Sequence, residues 1–171
     1  MLFTTVQNVL YMTDAESTKI LANKLYNLNG FKKLDVANLL ARKGRYWQMV
    51  AAEFFKNFDF SNESLDAALR KVFELIGNID GVEDAKLLLK RFGLRYRQCN
   101  RTFISAIVVS KLTVKLMALN NNLHGKQVDH KVSCDEFIEC VAGLNDGDDF
   151  APDILKELYE SIRKQPLYLK W

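Results

Sequence analysis

The sequence predicts an all-α domain, and three observations predict it. Apolar residues recur at three- and four-residue spacings in segment after segment, while period-two runs of Val, Ile and Thr are scarce. Only 2 prolines and 8 glycines punctuate the 171 residues, so long helical patterns run unbroken between them. Capping boxes at Thr13-Asp14-Ala15-Glu16 and Ser133-Cys134-Asp135-Glu136 mark two helix starts. With 49% hydrophobic and 26% charged residues, the chain is sufficient for one compact core.

The elements follow in order. Met1–Met12 is apolar but has no basic n-region or small-residue cleavage site, and it is too short to span a bilayer. It is expected to be a leader or docking segment ahead of a domain running over residues 13–171. The helix opened by Thr13 carries Leu21, Leu25 and Leu28 inward and should end near Asn29-Gly30. A short helix from Lys33 to Arg42 is broken by Lys43-Gly44. The next, Arg45 to Asn57, is rich in aromatics: Trp47, Phe54 and Phe55, with Phe58 and Phe60 just beyond, read as core. Asp59-Phe60-Ser61 is expected to start a further helix, on which Leu65, Ala68, Leu69, Val72, Phe73 and Ile76 share one face.

That helix stops in the turn Gly77-Asn78-Ile79-Asp80-Gly81. From Val82 to Cys99, Ala85, Leu88, Phe92 and Tyr96 point inward. Lys86, Lys90, Arg91 and Arg95, with Arg97 and Arg101, are read as a solvated face. The central helix carries Ile104, Val108, Leu112, Leu116, Leu119 and Leu123 on one stripe for about five turns. Near its end Asn120, Asn121 and Asn122 interrupt the pattern. Short amides compete for backbone hydrogen bonds, so the run reads as a polar cluster presented to a partner. Ser133 opens a helix to about Ala142, and Gly143–Phe150 is an acidic loop whose glycine and glutamate positions do not fit an EF-hand. Pro152 begins the last helix, with Ile154, Leu155, Leu158 and Ile162 inward.

Composition and motif content exclude several function classes. A net charge of +3 and a pI near 8.7 are too mild to demand nucleic acid, and no nucleic-acid partner is expected. Cys99, Cys134 and Cys140 form no disulfide framework and suit a reducing compartment. His124, His130, Cys134 and Cys140 match no tetrahedral spacing, so neither a metal nor a cofactor is expected. No phosphate loop, nucleophile elbow or metalloprotease helix is present, which leaves covalent catalysis without a candidate.

Several blocks in order resemble one family. They are LYNLNGFKKLDVANLL, VAAEFFKNFDFSNESLDAALR, LNNNLHGK and SCDEFIECVAGLNDGDDF, followed by LKELYESIRKQPLYLKW. From Leu21 onward the chain is similar to a Sec-seven domain, the guanine-nucleotide exchange module for Arf-family GTPases, of the type found in PSD proteins. The resemblance implies a single right-handed superhelix of about ten helices. It also implies a hydrophobic groove between two motifs that receives the switch regions of the GTPase. Membrane contact would come only through an adjoining domain, giving a cytoplasmic protein that is peripheral at membranes.

Two departures bear on activity. In active members a glutamate finger follows a glycine in the turn after the Leu65–Ile76 helix, where it repels the β-phosphate and displaces magnesium. Alignment on Arg70 and Phe92 puts Asp80-Gly81 at that pair, so Gly81 stands at the finger position. Asp80 and Glu83 are the neighbouring carboxylates that would have to substitute. The second motif, Asn-Thr-Asp-Leu-His in the family, reads Asn120-Asn121-Asn122-Leu123-His124 here. The expectation is an exchange domain by descent with weak or absent activity. The alternative is a non-catalytic Arf-binding scaffold. In either case the contact surface is expected to include Asn78 in the turn and Asn120–His124, and Asn120→Ala is expected to weaken binding with little change in stability.

Overall fold

Three helices begin at a Thr or Ser whose hydroxyl accepts one of their free N–H groups: Thr13, Ser105 and Ser133. The computed structural model describes residues 13–77, 79, 81–103 and 105–167, and its elements are eight helices. They are α1 (Asp14–Tyr26), α2 (Lys33–Leu40), α3 (Arg45–Phe55), α4 (Leu65–Leu75), α5 (Val82–Cys99), α6 (Ala106–His124), α7 (Cys134–Cys140) and α8 (Pro152–Lys164). Both predicted capping boxes close: Glu16 N–H donates to Thr13 Oγ1 at 3.2 Å, and Glu136 N–H to Ser133 Oγ at 3.3 Å. Pro152 occupies the first turn of α8, where a missing N–H costs nothing. Among the described residues the only strand-like pairing is one isolated bridge, Asn145 to Asp148, in the acidic loop.

The all-α class stands, with eight described helices where about ten were expected. The leader 1–12 lies outside the described residues. Asp59 does not start a helix. Its Oδ1 accepts the Ser61 N–H at 2.9 Å, Asn62 turns left-handed at φ 61°, and Asn100 Oδ1 receives the Asn62 N–H at 3.1 Å. These contacts hold the segment as a turn, and α4 starts only after Ser64.

The core is built around the α5–α6 hairpin. α3 packs on α5, α1 on α3, and α8 on both α6 and α4. The six residues expected inside, Leu69, Phe73, Phe92, Leu112, Leu116 and Leu119, are all buried. Aromatic rings form a continuous seam: Tyr26 meets Phe58 at 5.4 Å, Phe58 stacks on Phe60 at 5.3 Å, and Phe60 meets Phe92 at 5.4 Å.

The cations of α5 divide into two groups, which corrects their reading as one solvated face. Arg91 is buried and donates to the carbonyl oxygens of Leu40 and, at 2.7 Å, Arg42, closing the C-terminal end of α2. Arg95 Nε donates to the Phe58 carbonyl at 2.9 Å. Lys86, Lys90 and Arg101 are exposed, and Arg97 is half-buried.

A buried ionic tie joins α4 to α8. Asp66 accepts from Arg70 and from Ser161 Oγ at 2.5 Å, and Arg70 also donates to the Gln165 carbonyl at 2.7 Å. Burial opposes ionisation of Asp66, but hydrogen bonds from Ser161, Ser64 and Arg70 outweigh it and hold the carboxyl below its ordinary range.

Leu116→Ala is expected to lower unfolding free energy by roughly 2–5 kcal/mol through cavity formation, read by urea denaturation. The Asp66 contribution is present above the unfolded carboxyl pKa of about 4 and is lost as pH falls through the lower folded value. Asp66→Asn should therefore destabilise the domain at neutral pH by roughly 3–5 kcal/mol and flatten the acid limb of stability against pH.

Candidate functional site

The turn after α4 is fixed at one end and open at the other. Gly77 N–H donates to the Lys33 carbonyl at 2.9 Å, and a Cβ on Gly77 would lie 2.7 Å from Leu34 N. Only glycine permits this approach, so the turn is anchored on the start of α2. Ile79 is buried. Gly81 then caps α5 with φ 122° and ψ 134°, exposed, with no atom within 4 Å of where its Cβ would be. Asn78 and Asp80 lie outside the described residues. Glu83 is exposed and its Oε1 accepts from Lys86 Nζ at 2.9 Å; this hydrogen bond and the Lys86 charge lower its pKa.

The end of α6 is organised differently from its sequence reading. The helix continues through all three asparagines to His124. Asn120 is buried at 5% exposure, and its Oδ1 accepts the Leu167 N–H at 2.7 Å. Asn122 Oδ1 accepts the Val132 N–H at 2.8 Å, while its Nδ2 donates to the His130 carbonyl at 2.9 Å. His124 Nε2 lies 2.6 Å from the Ile162 carbonyl, which requires the proton on Nε2. Asn121 and Leu123 are half-buried, and no side-chain hydrogen bond of Asn121 is formed to a described residue. The expectation that core packing does not explain this amide run is therefore corrected for Asn120 and Asn122. Asn120 satisfies a backbone group 47 residues further on, and Asn122 satisfies two in the following loop, 8 and 10 residues ahead.

Between α6 and α7 lies a hollow of about 230 Å³. Ala118, Leu119, Val132 and Phe137 make it apolar, and Lys115, Asn122, Glu136 and Cys140 complete its lining. Lys115 Nζ sits 3.5 Å from Cys140 Sγ. Sequence reading missed Val132, Phe137, Lys115 and Cys140. The spacing 115, 118, 119, 122 does put Lys115, Ala118, Leu119 and Asn122 on one side of α6. Of the residues singled out, only Asn122 lines this hollow, while Asn120 and His124 turn toward the end of α8. Among the described residues no hydrogen bond or ion pair joins the turn to the α6 end. A larger hollow of about 810 Å³ between α1 and α3, lined by Lys19, Ile20 and Lys56, touches none of them.

This arrangement has an apolar cleft beside a rigid helix end and a separate exposed turn. It suits docking of a protein surface better than bond-making chemistry. A family model of the Sec7 domain matches residues 3–167. The chain belongs to the Sec7 domain family. It is 28% identical over 156 residues to brefeldin A-inhibited guanine nucleotide-exchange protein 2 of Arabidopsis thaliana. That match covers 91% of this chain but only 9% of the relative, so the chain corresponds to a small part of that protein. The crystal structure of the Sec7p catalytic domain superposes with a TM-score of 0.77 at 25% identity, covering 87% of this chain and 81% of the other. A Sec7 domain bound to ARF1-GDP and brefeldin A has the same fold, with a TM-score of 0.77 at 20% identity over 92% of this chain and 78% of that one.

Replacing Asn120 by alanine leaves the buried Leu167 N–H without an acceptor. Asn120→Ala should cost about 1–3 kcal/mol in urea denaturation, whereas Asn121→Ala should stay within about 0.5 kcal/mol of wild type. This reverses the expectation of unchanged stability at Asn120.

Proposed function

We propose that this Sec7 domain binds an Arf-family GTPase and promotes nucleotide release weakly or not at all. The observation that carries the reading is Gly81. At the finger position of the family alignment this chain has no side chain, and the space around the position is open. The nearest described carboxylate along the chain, Glu83, is engaged by Lys86 one turn into α5. A partner of this class is favoured by family membership and by the related fold that binds ARF1-GDP.

The contact surface on this reading comprises the turn around Asn78 and Gly81, the α6–α7 hollow with Asn122, and the flanking Asn121, Leu123 and His124. Asn120 supports it from beneath. The alternative, a non-catalytic Arf-binding scaffold, shares this surface and differs only in the rate of release. Resemblance to the PSD type further suggests a cytoplasmic protein brought to membranes by an adjoining domain. No described helix is long and apolar enough to cross a membrane.

Magnitudes favour a large effect of the missing acid. A carboxylate about 4 Å from a phosphate charge, at an effective dielectric near 20, interacts by about 4 kcal/mol. Removing that from the transition state slows release by roughly three decades. Installing glutamate at φ 122° strains the turn by about 1–3 kcal/mol, less than the charge contributes. The second lost acid is harder to restore, because Asn122→Asp would set a carboxylate against the His130 carbonyl that Asn122 Nδ2 now serves.

The test is fluorescent-nucleotide release from a panel of Arf proteins, with binding measured separately by titration. The native domain should bind at least one Arf and release nucleotide far more slowly than active relatives, and Gly81→Glu should raise the rate by a large factor. A native rate equal to that of active relatives, abolished by Glu83→Ala or Asp80→Ala, would show that a neighbour replaces the finger. Absence of binding to every Arf would overturn the docking surface itself.

A further inference from the structure

The hollow beside α7 is one end of a longer strip on α6. At about 100° per residue, Ile107, Lys111, Lys115, Ala118 and Asn122 fall within a sector of about 80°, one stripe roughly 22 Å long. Lys115, Ala118 and Asn122 line the hollow, and Lys111 and Ile107 continue it toward the start of the helix. Ile107 is 62% exposed, and Lys111 and Ala118 are exposed as well.

The charge of this strip is uncompensated. The 19 residues of α6 include no Asp or Glu. Lys111 makes no ion pair or hydrogen bond with any described residue, and the one bond of Lys115 Nζ among them goes to Cys140 Sγ at 3.5 Å. Glu136 is the one described acid lining the hollow. Its carboxylate is taken by the Ser133 N–H at 2.7 Å and by His130 Nε2 at 3.0 Å, and not by Lys115. At the turn the charges are mixed: Glu83 and Asp84 stand there with Lys86, which pairs with Glu83. The part of the contact surface with a definite sign is therefore α6.

Given the docking surface proposed above, on which this reading rests, we propose that α6 selects its GTPase by charge. The partner it fits offers carboxylates to Lys111 and Lys115 and an apolar side chain to Ile107. A lysine at a free surface is solvated by water, but on docking it loses hydration and needs an opposite charge. A carboxylate on the partner meets that need, whereas a lysine or arginine in the same place is repelled. Ile107, one turn before Lys111, gains by burial against an apolar side chain. Charges of this kind act chiefly on association rate and on rejection of wrong partners. They set which GTPase docks more than how tightly it is held.

The test combines zero-length cross-linking and binding kinetics, using the whole chain and the same panel of Arf proteins. A carbodiimide joins an amine only to a carboxylate in contact with it. It should link Lys111 or Lys115 to an Asp or Glu of the bound GTPase, read by mass spectrometry. Association should slow as salt rises. Lys111→Glu and Lys115→Glu should each weaken binding about fivefold, and the double variant about tenfold or more. Lys111→Gln removes attraction without adding repulsion and should have a smaller effect of the same sign. Ile107→Ser should weaken binding without changing its salt dependence. Lys19→Glu with Lys164→Glu makes the same change of net charge on other helices and should leave binding nearly unchanged, with urea midpoints confirming that all variants fold. Arf binding indifferent to salt and to the double variant, or cross-links confined to other lysines, would overturn selection by charge and leave the docking surface in place. Equal loss in the Lys19→Glu, Lys164→Glu control would overturn it too. Absence of binding to every Arf would overturn the docking surface itself, and selection by charge with it.

Discussion

The end of α8 is where three distant parts of the chain are tied together, and the site depends on that tie. A helix leaves its last carbonyls without partners, and here side chains from α4 and α6 supply them. Arg70 reaches the Ser161 and Gln165 carbonyls, and His124 reaches that of Ile162. Asn120 Oδ1 receives the N–H of Leu167, just past the helix. Asp66 holds the Arg70 guanidinium in place and is held by Ser161 in turn. Loss of one member leaves the others buried and unpaired, which is why the cluster acts as a unit.

This tie explains why α6 keeps its axis to His124 through three residues of poor helix propensity. Asn120 and His124 spend their polar groups on α8, and Asn122 spends its own on the chain between residues 130 and 132. The loop 125–133 is thereby folded back against α6, with Lys131 Nζ on the Asn122 and Gly125 carbonyls. Val132 is carried into the wall of the α6–α7 hollow as a result. The apolar cleft is thus a consequence of polar bonds made beside it. A docking surface needs this kind of preorganisation, since every group already fixed is one that binding need not order.

Most of the fold was legible because its determinants are local. The apolar stripe of α6, the two capping boxes and Pro152 each specify an element within a few residues of themselves. The misreadings of Asp59, Arg91 and Asn120 involve partners remote in sequence. Asp59 looked like a helix start, but Asn100 holds the turn through Asn62, from which it is 38 residues further along. Arg91 looked solvated, yet the carbonyls it serves belong to Leu40 and Arg42. The amide run looked exposed because nothing nearby in the chain announces Leu167 as a donor. For the site, the spacing on α6 holds one wall of the hollow, Lys115, Ala118, Leu119 and Asn122, but of these only Asn122 was picked out as a site residue. The other wall, Phe137 and Cys140 on α7, becomes visible only when the helices are packed.

The turn carrying Gly81 combines a fixed position with a residue that has no side chain. Gly77 locks its start against α2, Ile79 is buried in its middle, and α5 begins directly after Gly81. The exposed corner is therefore delivered to a set place although position 81 has no side chain to offer. On the proposed reading this separates two roles that a single glutamate would combine. Docking depends on the shape and placement of the turn, whereas displacement of magnesium and repulsion of phosphate depend on charge. Shape is retained here by contacts worth several kcal/mol in aggregate, made within the fold and independent of any partner. The charge effect of about 4 kcal/mol acts only at the nucleotide, so its loss leaves folding and docking intact while slowing release. A domain in this state holds a GTPase without emptying it, a distinction that binding and release measured on the same variant can resolve.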